Sequence, residues 1–198
     1  MRMNKLLVTL AFSMIFGSGV VLAADFNKGL EAAQSGDFKT ALAEWTPLAE
    51  QGDSDAQYNV GLMYFNGWGV PENDKTAVKW LTKAAEQGYA MAQHNLGLMY
   101  KYGNGVLEND KTAVKWYTKA AEQGLADAQY NLGLMYANGW GVLTDNRRAY
   151  MWYNLGSYNG SENAGKNKDI IATQMTPGDI SKAQEMSSRC LESNYTDC

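Results

Sequence analysis

Three consecutive segments of 36 residues align with one another without a gap and occupy more than half of this 198-residue chain. They run from Gly52 to Gln87, from Gly88 to Gln123 and from Gly124 to Asn159. The first two segments share 26 of 36 positions, and all three share 13. A fixed period of this length is typical of repeat proteins, in which each unit buries an apolar face against its neighbours. The repeat therefore predicts an elongated array.

Each copy has the pattern of two helices joined by a loop that contains glycine. In the first copy, helix A is predicted over residues 53–66 and helix B over residues 74–87, with Gly67 and Gly69 between them. Helix B carries an apolar stripe at helical spacing, formed by Ala77, Trp80, Leu81 and Ala84. The predicted fold is all-α, a right-handed α-solenoid of stacked antiparallel helix hairpins.

The first 23 residues have the three parts of a signal peptide. Arg2 and Lys5 form a basic start, and residues 6–16 form an apolar run that is too short to cross a hydrocarbon core of about 30 Å. Small residues then precede a cleavage site near Ala23. The expected mature protein is exported, periplasmic or secreted, with no membrane span after signal removal.

The sequence outside the three copies is expected to close the two ends of the array. Residues 24–51 resemble the second half of a copy preceded by a short helix, which predicts a partial repeat or helix hairpin. Residues 160–198 are interpreted as capping helices, because a terminal unit must cover its last apolar face. In an oxidising compartment, Cys190 and Cys198 are expected to form a disulfide, with two free thiols or an intermolecular bond as alternatives.

Charge and residue types argue against several classes of function. The chain has 17 Lys and Arg against 21 Asp and Glu, and without the leader 15 against 21, a net charge of −6. Nucleic-acid binders concentrate basic residues, so no nucleic-acid partner is expected. One His and two Cys leave little material for a metal cluster, and no Gly-x-Ser-x-Gly, His-Glu-x-x-His or Cys-x-x-Cys is present. No catalytic residue, metal or cofactor is predicted.

The repeated residues resemble one known family. Its motif is carried by Ala-Gln-Tyr-Asn-Val-Gly-Leu-Met-Tyr at 56–64, Gly-Trp-Gly-Val-Pro at 67–71, Ala-Val-Lys-Trp at 77–80 and Ala-Ala-Glu-Gln-Gly at 84–88. These strings look like the Sel1-like repeat (SLR) family, a branch of the tetratricopeptide-type helical repeats. The likeness covers about residues 38–158. It implies a curved solenoid that binds proteins or peptides, and exported bacterial members are often linked to envelope assembly or host contact.

Positions that differ between copies are not needed for stacking and are therefore candidates for recognition. Five positions of helix A lie within an arc of about 100°; four of them differ between copies, and the fifth is always Leu. In proteins resembling tetratricopeptide repeats, this face of helix A lines the concave groove. We expect the following residues to contact a protein or peptide partner: Asp55, Tyr58, Leu62, Phe65 and Asn66 in copy one; Met91, His94, Leu98, Lys101 and Tyr102 in copy two; Asp127, Tyr130, Leu134, Ala137 and Asn138 in copy three.

Two further features leave alternatives open. Trp68 and Trp140 lie in the A–B loops, where copy two has Asn104, and such a tryptophan either contacts a partner or packs over its hairpin. Copy three also departs from the pattern in helix B, where Asn146, Arg147 and Arg148 replace Asp, Lys and Thr. The third helix B is therefore expected to face a different surface.

The leading hypothesis is an exported scaffold that binds a protein or extended peptide along the concave face. The alternative is an envelope enzyme, or an enzyme-associated factor, that acts on cell-wall or β-lactam substrates. Some disulfide-rich SLR proteins are linked to β-lactams, but they have a cysteine pair in each repeat, and no cysteine lies inside the repeats of this chain. A self-associating structural repeat is a third hypothesis. Two glycosylation sequons, at Asn159 and Asn194, leave an adaptor of the endoplasmic-reticulum lumen as a minor one.

Overall fold

The computed structural model describes residues 24–198, so the leader predicted over residues 1–23 lies outside the described part. All regular secondary structure in the described part is helical. The helices are α1 (Phe26–Gln34), α2 (Phe38–Glu50), α3 (Ser54–Asn66), α4 (Asp74–Glu86), α5 (Ala90–Tyr102), α6 (Asp110–Ala121), α7 (Ala126–Asn138), α8 (Asn146–Tyr158), α9 (Glu162–Ala172) and α10 (Pro177–Glu192). From α1 to α9, each helix packs against the next in chain order. The prediction of an all-α solenoid is confirmed.

The three copies form the hairpins α3–α4, α5–α6 and α7–α8, and each helix B begins at a polar cap. The Asn73 side chain accepts a hydrogen bond from the backbone N–H of Thr76 at 2.9 Å, and Asn109 accepts one from Thr112 at 3.0 Å. Such a cap satisfies a backbone donor that the helix itself leaves free. The caps thus fix where helix B starts after each loop.

A glycine in the middle of each helix A lets helix B cross very close to it. A Cβ atom built on Gly97 would lie 2.4 Å from the Tyr117 ring, and one on Gly133 would lie 2.5 Å from the Tyr153 ring. No real Cβ tolerates such distances, so these positions have no room for any side chain. The glycine on helix A therefore leaves the space that a large side chain of helix B occupies.

The A–B loop of each copy rests on the preceding copy. A Cβ atom added to Gly105 would lie 2.5 Å from the Asp74 backbone, and one added to Gly141 would lie 2.5 Å from the Asp110 backbone. Asp74 and Asp110 begin α4 and α6. The second glycine of the loop is thus part of the contact between consecutive repeats.

A buried glutamine in each copy joins three successive helices. Gln57, Gln93 and Gln129 are at most 4% exposed. Each Nε2 donates at 3.0 Å to a carbonyl oxygen near the end of the preceding helix B, namely that of Ala49, Ala85 and Ala121. Each Oε1 accepts a hydrogen bond from the amide that follows its own helix B, that of Gln87, Gln123 and Asn159. The glutamines therefore set the spacing between repeats.

The carboxyl-terminal end departs from simple stacking. α10 packs across α8 rather than pairing with α9, and its residues Ala183 and Cys190 are fully buried. Cys190 and Cys198 form a disulfide. The Tyr195 hydroxyl lies 2.8 Å from the Asn159 amide nitrogen, so the tail is also tied to the last repeat. The third helix B thus meets a surface that the other two do not.

Candidate peptide-binding groove

At one position of helix A, the residues Tyr58, His94 and Tyr130 are half-buried, because each packs on a neighbouring aromatic ring. Tyr130 lies 6.1 Å from Tyr153 between ring centroids, and His94 lies 5.9 Å from Tyr117. Tyr58 lies 5.0 Å from Tyr89 at the start of the next copy. One side of each ring is therefore used for packing, and each side chain stays partly exposed.

A row of asparagines runs beside these rings and was missed from the sequence. Asn59, Asn95 and Asn131 occupy one position of the repeat and are half-buried. The Asn131 amide lies 2.9 Å from His94 Nε2. Burial raises the pKa of Tyr58, while a hydrogen bond from Asn95 acts in the opposite sense. The asparagines were not among the expected residues, although a polar residue repeated beside aromatic positions is itself a signal.

Four of the expected groove residues come together in a cavity of about 250 Å³ between α3 and α5. Its lining contains no charged side chain and consists of Leu62, Phe65, Asn66, Leu81, Asn95, Leu98, Met99 and Asn104. Aliphatic and aromatic walls with carboxamides among them are typical of a site for a peptide side chain, because carboxamides both donate and accept hydrogen bonds.

At the equivalent interface between copies two and three, Lys101 contacts other residues of the same chain. Lys101 Nζ lies 3.0 Å from Asp110 Oδ1 and 4.1 Å from the centroid of the Trp140 ring. Tyr102 is 66% exposed beside this group. Lys101 is therefore occupied by contacts inside the protein, and Tyr102 is the more accessible residue of the two.

The remaining expected residues lie outside the cavity. Asp55, Met91 and Asp127 are exposed at the amino-terminal ends of α3, α5 and α7. Asn138 donates from its side chain to the Leu134 carbonyl oxygen at 2.9 Å, and Leu134 packs beside Tyr130 and the half-buried Ala137. The lining of the cavity thus comes from the first two copies, and the residues expected in the third copy lie outside it.

Both loop tryptophans pack on the chain and stay partly exposed. Trp68 stacks on Phe38 with ring centroids 5.3 Å apart, and Trp140 lies under Lys101. Trp68 is 43% exposed and Trp140 is 40% exposed. A second cavity of about 390 Å³ is lined in part by Trp68 and Leu30, and it shares Leu62 with the first cavity.

Acidification is expected to destabilise the protein through His94. Burial lowers the pKa of His94, against an opposing effect of Asp127. The unfolded chain therefore binds a proton at His94 more readily than the folded chain does. The contribution of neutral His94 to stability is fully present above the unfolded pKa of about 6.5 and is lost as the pH falls. Urea unfolding at about pH 7 and about pH 5 should show lower stability at the acidic pH. The loss should shrink in His94→Tyr, which has the residue of the other copies; an unchanged loss would contradict the assignment.

Two features are absent from residues 24–198. No helix there combines the length and the apolar character needed to cross a bilayer. No group of three or more His, Cys, Asp or Glu side chains in this part is arranged to hold a metal ion.

Known structures share both the fold and the sequence of the repeats. A Sel1 repeat protein from Oxalobacter formigenes is 35% identical, with a TM-score of 0.71 over 74% of this chain and 60% of that one. A protective antigen of uropathogenic Escherichia coli strains that displays an SLR fold is 36% identical, with a TM-score of 0.74 over 79% of this chain and 34% of that one. The chain thus spans less than two thirds of either relative.

A third structure supports the fold alone. Cysteine-rich protein B of Helicobacter pylori is 22% identical, with a TM-score of 0.54 over 65% of this chain and 95% of that one. No curated protein matches the chain. The Sel1 repeat itself matches residues 54–89, 90–125 and 126–161 in direct succession. The chain therefore belongs to the Sel1 repeat family.

Proposed function

We propose that the protein is an exported scaffold that binds an extended segment of a partner protein along the exposed face of α3, α5 and α7. The observation that carries the proposal is the cavity between α3 and α5, where apolar walls and carboxamides meet with no charged side chain in the lining. Proteins built from Sel1 repeats are generally protein-interaction scaffolds. The proposed mechanism is preorganisation, because a rigid array holds its contact residues in place and only the partner loses conformational freedom.

The proposed location is the periplasm or the exterior of the cell. It is supported by the basic and apolar leader of residues 1–23 and by the Cys190–Cys198 disulfide, since such bonds persist in oxidising compartments. Fusion of the leader to a reporter that is active only after export would test the location directly.

The test of binding is capture from an envelope extract. A variant with Tyr58, Tyr102 and Tyr130 all changed to Ala should no longer capture partner proteins, because aromatic side chains commonly dominate binding energy. The matched control changes three exposed residues outside the groove, Leu107, Leu143 and Tyr158, which are 91%, 91% and 72% exposed. Circular dichroism must show intact helices in both variants. Equal capture by the groove variant and the native protein would refute the proposal.

We also propose that the protein acts without catalysis. Sel1 repeat proteins are typically non-catalytic scaffolds. Hydrolysis of a chromogenic β-lactam, or release of muropeptides from cell wall by the purified protein, would contradict this and favour the alternative of an envelope enzyme.

A further inference from the structure

We infer that the solvent-exposed face of α4 and α6 is a second docking surface, which takes an acidic helix of a partner protein. This face lies on the B helices of copies one and two, whereas the proposed groove lies on the A helices. We call it the lysine face, and its exposed lysines are Lys75, Lys79 and Lys83 on α4 and Lys111, Lys115 and Lys119 on α6. The inference is therefore independent of the proposed groove.

The charges of the lysine face are not neutralised by the chain itself. Each helix carries its three lysines at intervals of four residues, so they lie on one side of the helix and repel one another. Within residues 24–198, none of the six forms an ion pair. The exposed acids Glu86 and Glu122 lie at the carboxyl-terminal ends of α4 and α6. A row of unpaired cations is thus open to an anionic partner, although the whole chain has a net charge of −4.

Two tryptophans add apolar contact area to the lysine face. Trp80 and Trp116 are partly exposed, and Lys83 Nζ and Lys119 Nζ lie 4.3 Å and 4.6 Å from the centroids of their rings. A shallow cavity of about 440 Å³ on α4 is lined by Val78, Lys79, Trp80, Thr82 and Lys83. Aromatic surface among lysines suits an amphipathic helix, because apolar contacts give affinity and complementary charges select the partner.

The third copy shows that a helix can cover this face of helix B. α10 packs across α8, where Met151 and Leu155 stand at the positions of Lys79 and Lys83. Both replacements are at most 1% exposed, and they pack with the buried Trp152 and with residues of α10 in one apolar cluster. Where the chain covers this face with its own helix, the lysines are thus replaced by apolar residues. Where the lysines are kept, a matching helix must be acidic.

The occupant is a helix of another protein and not a second copy of this chain. A helix that matches the lysine face needs acidic residues three or four positions apart, because only these lie together on one side. None of the helices α1 to α10 carries two Asp or Glu residues at that spacing. The charge that the lysine face requires is therefore not supplied by another molecule of the same protein.

The direct test is a fluorescence anisotropy titration of a labelled peptide with the purified protein. The probe is an alanine-based helical peptide with three glutamates at intervals of four residues and leucines beside them. The control peptide has glutamine in place of each glutamate and should bind at least about tenfold more weakly at low salt. Added NaCl should reduce the difference between the peptides. No binding of the glutamate peptide, or equal binding of both peptides, would overturn the inference.

Two protein variants with the same change in net charge locate the site. The first removes four charges of the lysine face, by changing to Gln the residues Lys79, Lys83, Lys115 and Lys119. The control removes four charges elsewhere, by changing to Gln the residues Lys39, Lys166, Lys168 and Lys182. The first variant should bind the glutamate peptide at least about tenfold more weakly than the control variant does, with intact helices by circular dichroism. An equal loss in both variants would show that net charge alone attracts the peptide, and would refute the inference.

Two further measurements separate the lysine face from other sites and other partners. The variant with Tyr58, Tyr102 and Tyr130 changed to Ala should bind the glutamate peptide as the native protein does. Loss of binding in that variant would place the peptide in the groove and overturn the inference. Cosedimentation with phosphatidylglycerol vesicles tests an anionic membrane instead, since lysines also attract anionic lipids. Vesicle binding that depends on the lysine face, without binding of the glutamate peptide, would likewise overturn the inference.

Discussion

Replacing Gly105 with alanine is expected to lower the free energy of unfolding by about 3–5 kcal/mol, as the sum of backbone strain and steric overpacking. Gly105 has a φ of +70°, which an L-residue adopts only at a cost. The new methyl group would also lie 2.5 Å from the backbone carbonyl of Asp74, which begins α4. Backbone atoms at a helix start cannot move aside as a flexible side chain can. The substitution should therefore separate copy two from copy one.

The control for this effect is Gly88→Ala. Gly88 also has a positive φ, +94°, but a Cβ atom built there meets nothing within 4 Å. The variant should lose only about 1–2 kcal/mol, which is the strain alone. Urea unfolding followed by circular dichroism measures both variants. If the two losses are equal, the contact between the loop and the preceding repeat contributes nothing.

The second large effect is expected from Gln93→Leu, at about 1–3 kcal/mol, because the change removes both hydrogen bonds of a buried side chain. Gln93 donates to the Ala85 carbonyl oxygen at 3.0 Å and accepts from Gln123 at 2.7 Å. Leucine has a similar volume, so the main change is the loss of two hydrogen bonds that link α4, α5 and the end of α6.

Gln123→Ala is the matched control for the glutamine prediction. Gln123 is exposed, so water can replace the bond that it gives to Gln93. Its loss should cost less than about 1 kcal/mol. The same unfolding assay ranks the two variants. A larger effect for Gln123→Ala than for Gln93→Leu would show that the buried glutamines do not set the spacing of the repeats.

Much of the fold could be predicted because the three copies of the repeat can be compared with one another. The period, the glycines at 67 and 69 and the apolar stripe through Ala77 and Leu81 indicated helix pairs, and α3 and α4 lie where they were expected. Asn73 stands directly before α4, and its side chain accepts the hydrogen bond from the backbone of Thr76. These features depend on residues close in sequence, so pattern alone predicts them.

The site could be predicted only in part, because it depends on contacts between repeats. Leu62, Phe65, Asn66 and Leu98 were expected on the groove, and they line one cavity. Asn95 and Asn104 also line this cavity and were not among the expected residues. A position in a sequence shows which residue is present, but not which residue of another repeat lies opposite it.

The packing of α10 across α8 determines how the array ends. A row of identical hairpins with a bare last face would accept another molecule there and grow into a fibre. Here that end carries polar residues such as Lys182, Glu185 and Arg189 outward, while Ala183 and Cys190 are turned in. We therefore expect α10 to prevent a second molecule from stacking on the last repeat.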